Sequence, residues 1–148
     1  MRIYEALADA AVIDQLISIS ADWELESSTY GYRKNEIDDI VGKRIFLAEQ
    51  NGNILGYLFG NACKSERASS IMPEGTEYFE IEELYVVPQR RSQGVGRALF
   101  MYAEQTVKGE GIRYIMLSTA TKNYKSILHF YIDELGMYFW SARLFKKL

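Results

Sequence analysis

The sequence predicts a mixed α/β layer, and three observations carry that prediction. An Asn51-Gly52 pair joins two alternating apolar segments, the commonest signal for a tight hairpin. A strand over residues 78–87 runs into Pro88, a glycine-bearing turn and an amphipathic helix. A second strand and helix then follow, punctuated by Gly109, Gly111 and Gly136, the order that produces a strand–helix–strand crossover.

Taken in order, residues 2–6 read as a short first strand. Residues 8–26 carry Val12, Leu16 and Ile19 at helical spacing, with Ile13 and Ile17 widening the stripe. A loop follows over 27–32, and a short second helix is predicted over 35–41. The hairpin strands cover 44–50 and 54–62, and the polar segment 63–75, with Pro73, reads as a mobile loop. The fourth strand spans 78–87. The main helix spans 95–108, with Val95, Ala98, Leu99, Tyr102 and Val107 on or near its buried side. A buried strand over 112–118, a helix over 123–135 and an aromatic terminal strand over 137–148 complete the chain, with Phe139 and Trp140 expected in the core.

Composition fits one domain over residues 1–148: 48% hydrophobic and 25% charged residues suit a packed globular chain. A net charge of −3 argues against a general nucleic-acid binder. No apolar run reaches the roughly 18 residues that span a membrane. Met1-Arg-Ile-Tyr-Glu5 lacks a signal-peptide layout, and Cys63 is the single cysteine, so a cytoplasmic setting is expected. No His/Cys/Asp cluster has metal-ligand spacing. Six acidic residues between 22 and 39 face only Arg33 and Lys34, which reads as a solvated face or as an acidic rim that attracts a cation.

The segment Glu80-Ile-Glu-Glu-Leu-Tyr-Val-Val-Pro-Gln-Arg-Arg-Ser-Gln-Gly-Val-Gly-Arg97 is the most informative. Its turn aims helix N-terminal amides at one point, with Arg90, Arg91 and Arg97 beside them, which is the layout of a phosphate site. Leu99 stands where a dinucleotide-binding fingerprint needs a third glycine or alanine, so that alternative fails. Upstream lie three carboxylates. By the two-residue strand period, Glu80 and Glu82 share one face and Glu83 points to the other.

Arg91, Gly94 and Gly96, set after a strand ending Leu84-Tyr-Val-Val-Pro88, resemble the signature of the Gcn5-related N-acetyltransferase superfamily. The resemblance extends over nearly the whole chain. It implies the acyl-CoA N-acyltransferase fold, a mostly antiparallel mixed sheet flanked by helices and splayed between its fourth and fifth strands. It implies acetyl-CoA as co-substrate, its pantetheine along Leu84, Tyr85, Val86 and Val87. Its diphosphate would lie on Arg91, Ser92, Gln93, Gly94, Val95, Gly96 and Arg97, with Asn123 on pantetheine and also capping its helix.

The resemblance also implies transfer of acetyl to a primary amine by direct attack in a ternary complex. The acceptor is a small cationic amine such as a polyamine or aminoglycoside, or a protein amine. Freeing a lysine-like amine of its proton costs roughly 4.6 kcal/mol at pH 7, which a carboxylate offsets. Glu80 matches the glutamate base of the histone acetyltransferases, and Glu80 with Glu82 matches the paired histidines of serotonin acetyltransferase. Tyr131 is the expected acid for the thiolate, with Tyr124 near the helix start as a second candidate and packing under the terminal strand as the alternative for Tyr131. The Asn123-to-Tyr131 and Tyr131-to-Gly136 spacings are each one residue longer than the family pattern. Trp23, Tyr30 and Tyr32 are expected to help wall the acceptor site, with core anchoring as the alternative for Trp23, and Glu83 is a candidate for substrate binding. His129 reads as packing or surface. A coenzyme A-binding sensor or assembly module without turnover is the competing reading. The short aromatic tail is expected to pair with a second copy as a homodimer.

Overall fold

A computed structural model describes all 148 residues. Five strands form one sheet in the order β1-β2-β3-β4-β5: β1 is Arg2–Ala6, β2 Arg44–Gln50, β3 Asn53–Lys64, β4 Glu77–Val86 and β5 Tyr114–Met116. The first four are antiparallel neighbours, and β5 runs parallel to β4. The hairpin turn is the predicted one. Asn51 and Gly52 both hold positive φ (52° and 79°), the geometry a two-residue turn demands and these residue types tolerate.

Helix α1 (Ala10–Glu26) starts two residues later than its apolar pattern, because the Asp9 carboxylate accepts the Val12 amide at 2.9 Å and so caps it. The second helix shrinks to one turn, α2 (Ile37–Ile40). Helix α3 (Val95–Gly109) buries Val95, Leu99, Phe100, Ala103 and Val107. Tyr102, expected on or near the buried side, lies 40% exposed at the edge of that stripe, against Phe46. The two faces of the sheet carry separate cores. Phe46, Leu58, Phe79 and Ile81 pack with α3 on one face. Ile45, Leu47, Tyr57, Phe59 and Tyr85 pack with Ile13 and Leu16 of α1 and Ile40 of α2 on the other.

Four expectations are corrected. The buried strand over 112–118 is only Tyr114–Met116, paired on one side and not buried. The loop after β3 is tied to itself rather than loose: the Gly75 amide donates to the Ser65 carbonyl, the Ser65 hydroxyl donates to the Pro73 carbonyl, and Met72 is buried. The last helix breaks in two, α4 (Tyr124–Leu128) and a π-helix (His129–Glu134) in which the Leu135 amide donates to the Phe130 carbonyl. A π-turn absorbs extra residues inside a helix, which is the physical counterpart of the long spacings on either side of Tyr131.

The fourth correction concerns the tail. Residues 137–148 form no strand, and Phe139 and Trp140 are exposed, as are Tyr138, Leu144 and Phe145. The outer edge of β5 stays unpaired, and the tail adds no strand to it. Beyond Met137, which packs against the α3 core, its links are single contacts, the Trp140 indole N–H on the Ser70 hydroxyl at 2.8 Å and Phe145 edge-on to Tyr30 at 5.7 Å.

Candidate functional site

Strand β4 organises the site through two departures from regularity. The first is its partner on the β5 side. Pairing covers only Tyr78, Phe79 and Glu80, so from Ile81 to Val86 that edge of β4 has no strand partner. The predicted splay is therefore present.

The second departure is a β-bulge. Phe59 pairs with Glu83 and Gly60 with Ile81, leaving Glu82 as the extra residue. Gly60 makes the bulge possible. A Cβ at that position would lie 2.0 Å from the Glu80 carbonyl oxygen. The bulge inverts the alternation: Phe79 and Ile81 face the α3 core before it, and Leu84 and Val86 do so after it. Glu80 and Glu83 consequently share the α1–α2 face. The expectation that Glu83 points away from Glu80 and Glu82 is thus overturned, because the strict two-residue period holds only in an unbulged strand; Glu82 lines the same cleft as Glu83.

Glu83 is buried, 8% exposed. The Tyr32 hydroxyl donates to its Oε1 at 2.5 Å, and the Asn35 amide donates to both oxygens at 3.0 and 2.5 Å. Asn35 is held in turn by its own backbone N–H, which donates to the buried Ser20 hydroxyl of α1 at 2.9 Å. Burial pushes the Glu83 carboxyl up to about 7 against the opposing pull of those donors, with the Asp39 and Glu82 charges adding to the rise. Glu80 is also raised, by burial and by the Glu82 charge. Glu82 itself reaches outward and pairs with Lys43 at 2.7 Å. A cleft of about 260 Å³ opens here, lined by Glu82, Glu83, Phe59, Asn35, Asp38, Asp39 and Lys43.

An aromatic stack runs away from this cluster. Trp23 lies on Tyr32 with centroids 4.0 Å apart and on Tyr85 at 5.0 Å. The Tyr57 hydroxyl is buried in the same core without a hydrogen-bond partner. Tyr30 stands apart, 56% exposed beside Lys122 and Phe145. Backbone bonds from Tyr30 to the Ala120 carbonyl and from Lys122 to the Ser28 carbonyl stitch the loop after α1 to the loop after β5.

At the other end of β4, a 3-10 turn (Pro88–Arg90) leads to Arg91, and Ser92 and Gly94 adopt left-handed backbone (φ 58° and 86°). This reversal points the first amides of α3 outward. The N–H groups of Val95, Gly96 and Arg97 have no backbone or side-chain acceptor in the chain, and no side chain caps the helix. Gly96 allows close packing, since a Cβ there would meet the Phe130 ring at 3.3 Å and Val86 at 3.5 Å. The cationic side chains are less free than expected. Arg97 donates to the Glu134 carbonyl at 2.9 Å, and Arg91 is bound to the Val86 carbonyl and to Glu26.

Tyr131 sits against Phe100 and Phe130 beside the α3 core, and burial alone pushes its hydroxyl up to about 12. Asn123 occupies the N-cap position of α4, but its side chain makes no capping hydrogen bond, which corrects the expected cap. His129 is exposed and paired with Asp133. No group of three or more His, Cys, Asp or Glu side chains could hold a metal ion, and no helix is long and apolar enough to cross a membrane.

Residues the sequence reading did not single out are Asn35, Lys43 and Glu26. Glu26, Asp38 and Asp39 belong to the acidic run between 22 and 39, which was the only available signal.

Comparison with known proteins bears on the family and the fold. An uncharacterised N-acetyltransferase of Methanocaldococcus jannaschii is 35% identical over 86 residues, 58% of this chain; the match spans about a third (35%) of that relative's length. An aminoglycoside acetyltransferase from an uncultured soil metagenomic sample superposes with a TM-score of 0.71 at 17% identity, covering 99% of this chain and 95% of that one. A ribosomal-protein-alanine N-acetyltransferase of Brucella melitensis superposes with a TM-score of 0.67 at 12% identity, covering 99% and 100%. At such identities these two establish the fold alone. The profile of the Acetyltransferase (GNAT) family matches residues 7–137, and the chain belongs to that family.

Proposed function

We propose that this chain is an acetyl-CoA-dependent N-acetyltransferase that acts in the cytoplasm on a primary amine. The observation that carries the reading is the continuity of β4. One strand bears carboxylates of raised proton affinity on its α1–α2 face, exposes an unpaired edge, and ends at a turn with three unpartnered amides. The residues present fit the co-substrate. The open edge at Leu84, Tyr85, Val86 and Val87 suits pantetheine, with Asn123 exposed nearby in sequence to the π-helix. The turn Arg91, Ser92, Gln93, Gly94, Val95, Gly96 and Arg97 suits a diphosphate through backbone N–H groups and the helix dipole. Acetyl-CoA supplies an activated thioester carbonyl to this groove.

In the proposed reaction the amine nitrogen bonds to the acetyl carbon, the carbon–sulfur bond breaks, and the amine proton passes to a carboxylate. Glu80 and Glu83 are the proposed acceptors of that proton, directly or through water. Of the two, Glu83 is the better matched to neutral pH, since a base poised near 7 is populated and still basic. Glu82, paired with Lys43 at the cleft mouth, is proposed to meet the cationic acceptor or to share the proton with Glu80. The Val86 amide polarises the carbonyl oxygen, and Tyr131 returns a proton to the thiolate. Trp23, Tyr30 and Tyr32 wall the acceptor side.

The acidic lining, Asp38, Asp39, Glu82 and Glu83 against Lys43, favours a cationic small amine. A protein amine is the other acceptor class. Free thiol released on incubation with acetyl-CoA and a panel of polyamines, aminoglycosides and peptides tests the reading. No release with any amine counts against it.

One observation favours the non-catalytic alternative. Tyr131 is partly buried in a π-turn against Phe100 and Phe130, and the rise of its hydroxyl to about 12 makes it a weaker proton donor. Tight coenzyme A binding without thiol release selects that sensor. We also propose a homodimer through the apolar tail, where Tyr138, Leu144 and Phe145 lie exposed. A monomeric mass at micromolar concentration removes that part.

A further inference from the structure

We propose that Glu26 is a positioning residue for the co-substrate: it holds Arg91 against β4, so that the amides after Arg91, and not its guanidinium, face the diphosphate. The inference rests on the acetyl-CoA reading above.

Three elements meet at this carboxylate. Glu26 is the last residue of α1, whose final turn contains no basic side chain. A carboxylate there sits at the negative end of the helix dipole, an unfavourable place without a cation from elsewhere in the chain. Arg91 is that cation. Its Nη2 donates to Glu26 Oε1 at 2.7 Å and to Oε2 at 3.0 Å, while the Tyr85 hydroxyl donates to Oε1 at 2.5 Å. The other side of the same guanidinium is also engaged, because Nε donates to the Val86 carbonyl at 2.9 Å. Its carbon stands 5.1 Å from the centre of the Tyr85 ring. Arg91 therefore bridges α1 to β4 across the base of the turn.

The residues that follow depend on that bridge. Ser92 and Gly94 take left-handed backbone directly after it, and this double reversal is what aims the amides of Val95, Gly96 and Arg97 outward. Ser92 is not glycine, so its positive φ is held by its surroundings and not by its own preference. Without Glu26 the guanidinium keeps only the Val86 carbonyl and the face of the Tyr85 ring, and is freer to swing. The amides then lose their common aim, and a charge is released beside them.

The two roles for Arg91 predict opposite signs, and titration calorimetry with coenzyme A separates them. Under the proposal, Glu26→Gln and Arg91→Gln each weaken binding about fivefold, and the double variant is no weaker than the worse single one. KM for acetyl-CoA rises in both single variants, while kcat and the amine KM stay near the wild-type values. A general packing defect would move all three.

Binding by Glu26→Gln that is equal to or tighter than wild type, with loss in Arg91→Gln alone, overturns the proposal, since the guanidinium would then reach the diphosphate itself. Additive losses in the double variant also overturn it. Arg91→Lys retains the charge but not the two-sided bridge, and is expected to bind like Arg91→Gln; full rescue by lysine counts against the brace. A wild-type chain that binds no coenzyme A removes the acetyl-CoA reading and this inference together, whereas wild-type binding with an unaffected Glu26→Gln removes only this inference.

Discussion

The two ends of the β4 segment are built on opposite plans. At the bulge, Glu83 has partners from the chain itself: Tyr32, Asn35 and, one step back, Ser20. At the start of α3, the amides of Val95, Gly96 and Arg97 have none. The first arrangement fixes a buried carboxylate in one geometry, and burial raises its proton affinity against the pull of those donors before any ligand arrives. The second is incomplete until an anion arrives. The difference teaches that one part of the site is organised before binding and the other is organised to bind.

The largest effect expected is the loss of the organised part. Glu83→Gln should lower kcat about 100-fold, the lower range for loss of a general base, while coenzyme A binding persists. The pH dependence gives a second readout. The carboxyl rises from 4.5 to about 7 on folding, so between these values the native state binds more protons than the unfolded chain. Stability should fall as pH rises through that window and level off above it. Glu83→Gln should flatten that slope and abolish the acidic limb of kcat/KM near pH 7. A limb that persists assigns it to Glu80 instead.

Next comes the backbone device that puts Glu80 and Glu83 on one face. Gly60→Ala drives a Cβ to 2.0 Å from the Glu80 carbonyl, and overpacking of this kind should cost about 1–3 kcal/mol in urea unfolding, with a loss of turnover in the folded fraction. At the opposite end, Gly94→Ala meets no atom within 4 Å but must hold φ near 86°. The expected cost is about 1–2 kcal/mol, felt as weaker coenzyme A binding in calorimetry. If Gly94→Ala instead spares binding and lowers kcat, the contrast between the two ends is wrong. Smallest should be Lys43→Met. It breaks an exposed pair with Glu82, worth at most about 1 kcal/mol in thermal unfolding, and its main effect should be a lower KM for cationic amines as the cleft grows more acidic.

The sequence by itself determined the succession of elements along the chain through β5, the Asn51-Gly52 turn, the α1 and α3 stripes, and the position of the turn between Arg91 and Arg97. These follow from local periodicity and from residues with narrow backbone preferences, both of which are legible one segment at a time. It also registered the long spacing around Tyr131 without the π-helix that absorbs it. Only the tertiary structure decided which carboxylates share a face, because the bulge at Glu82 depends on Gly60 of a neighbouring strand admitting the Glu80 carbonyl. Only it decided that Arg91 belongs to Glu26, 65 residues away in the chain, and that the aromatic tail pairs with no strand. Each of these is a contact between distant segments, and a residue's own neighbours in sequence carry no record of what packs against it.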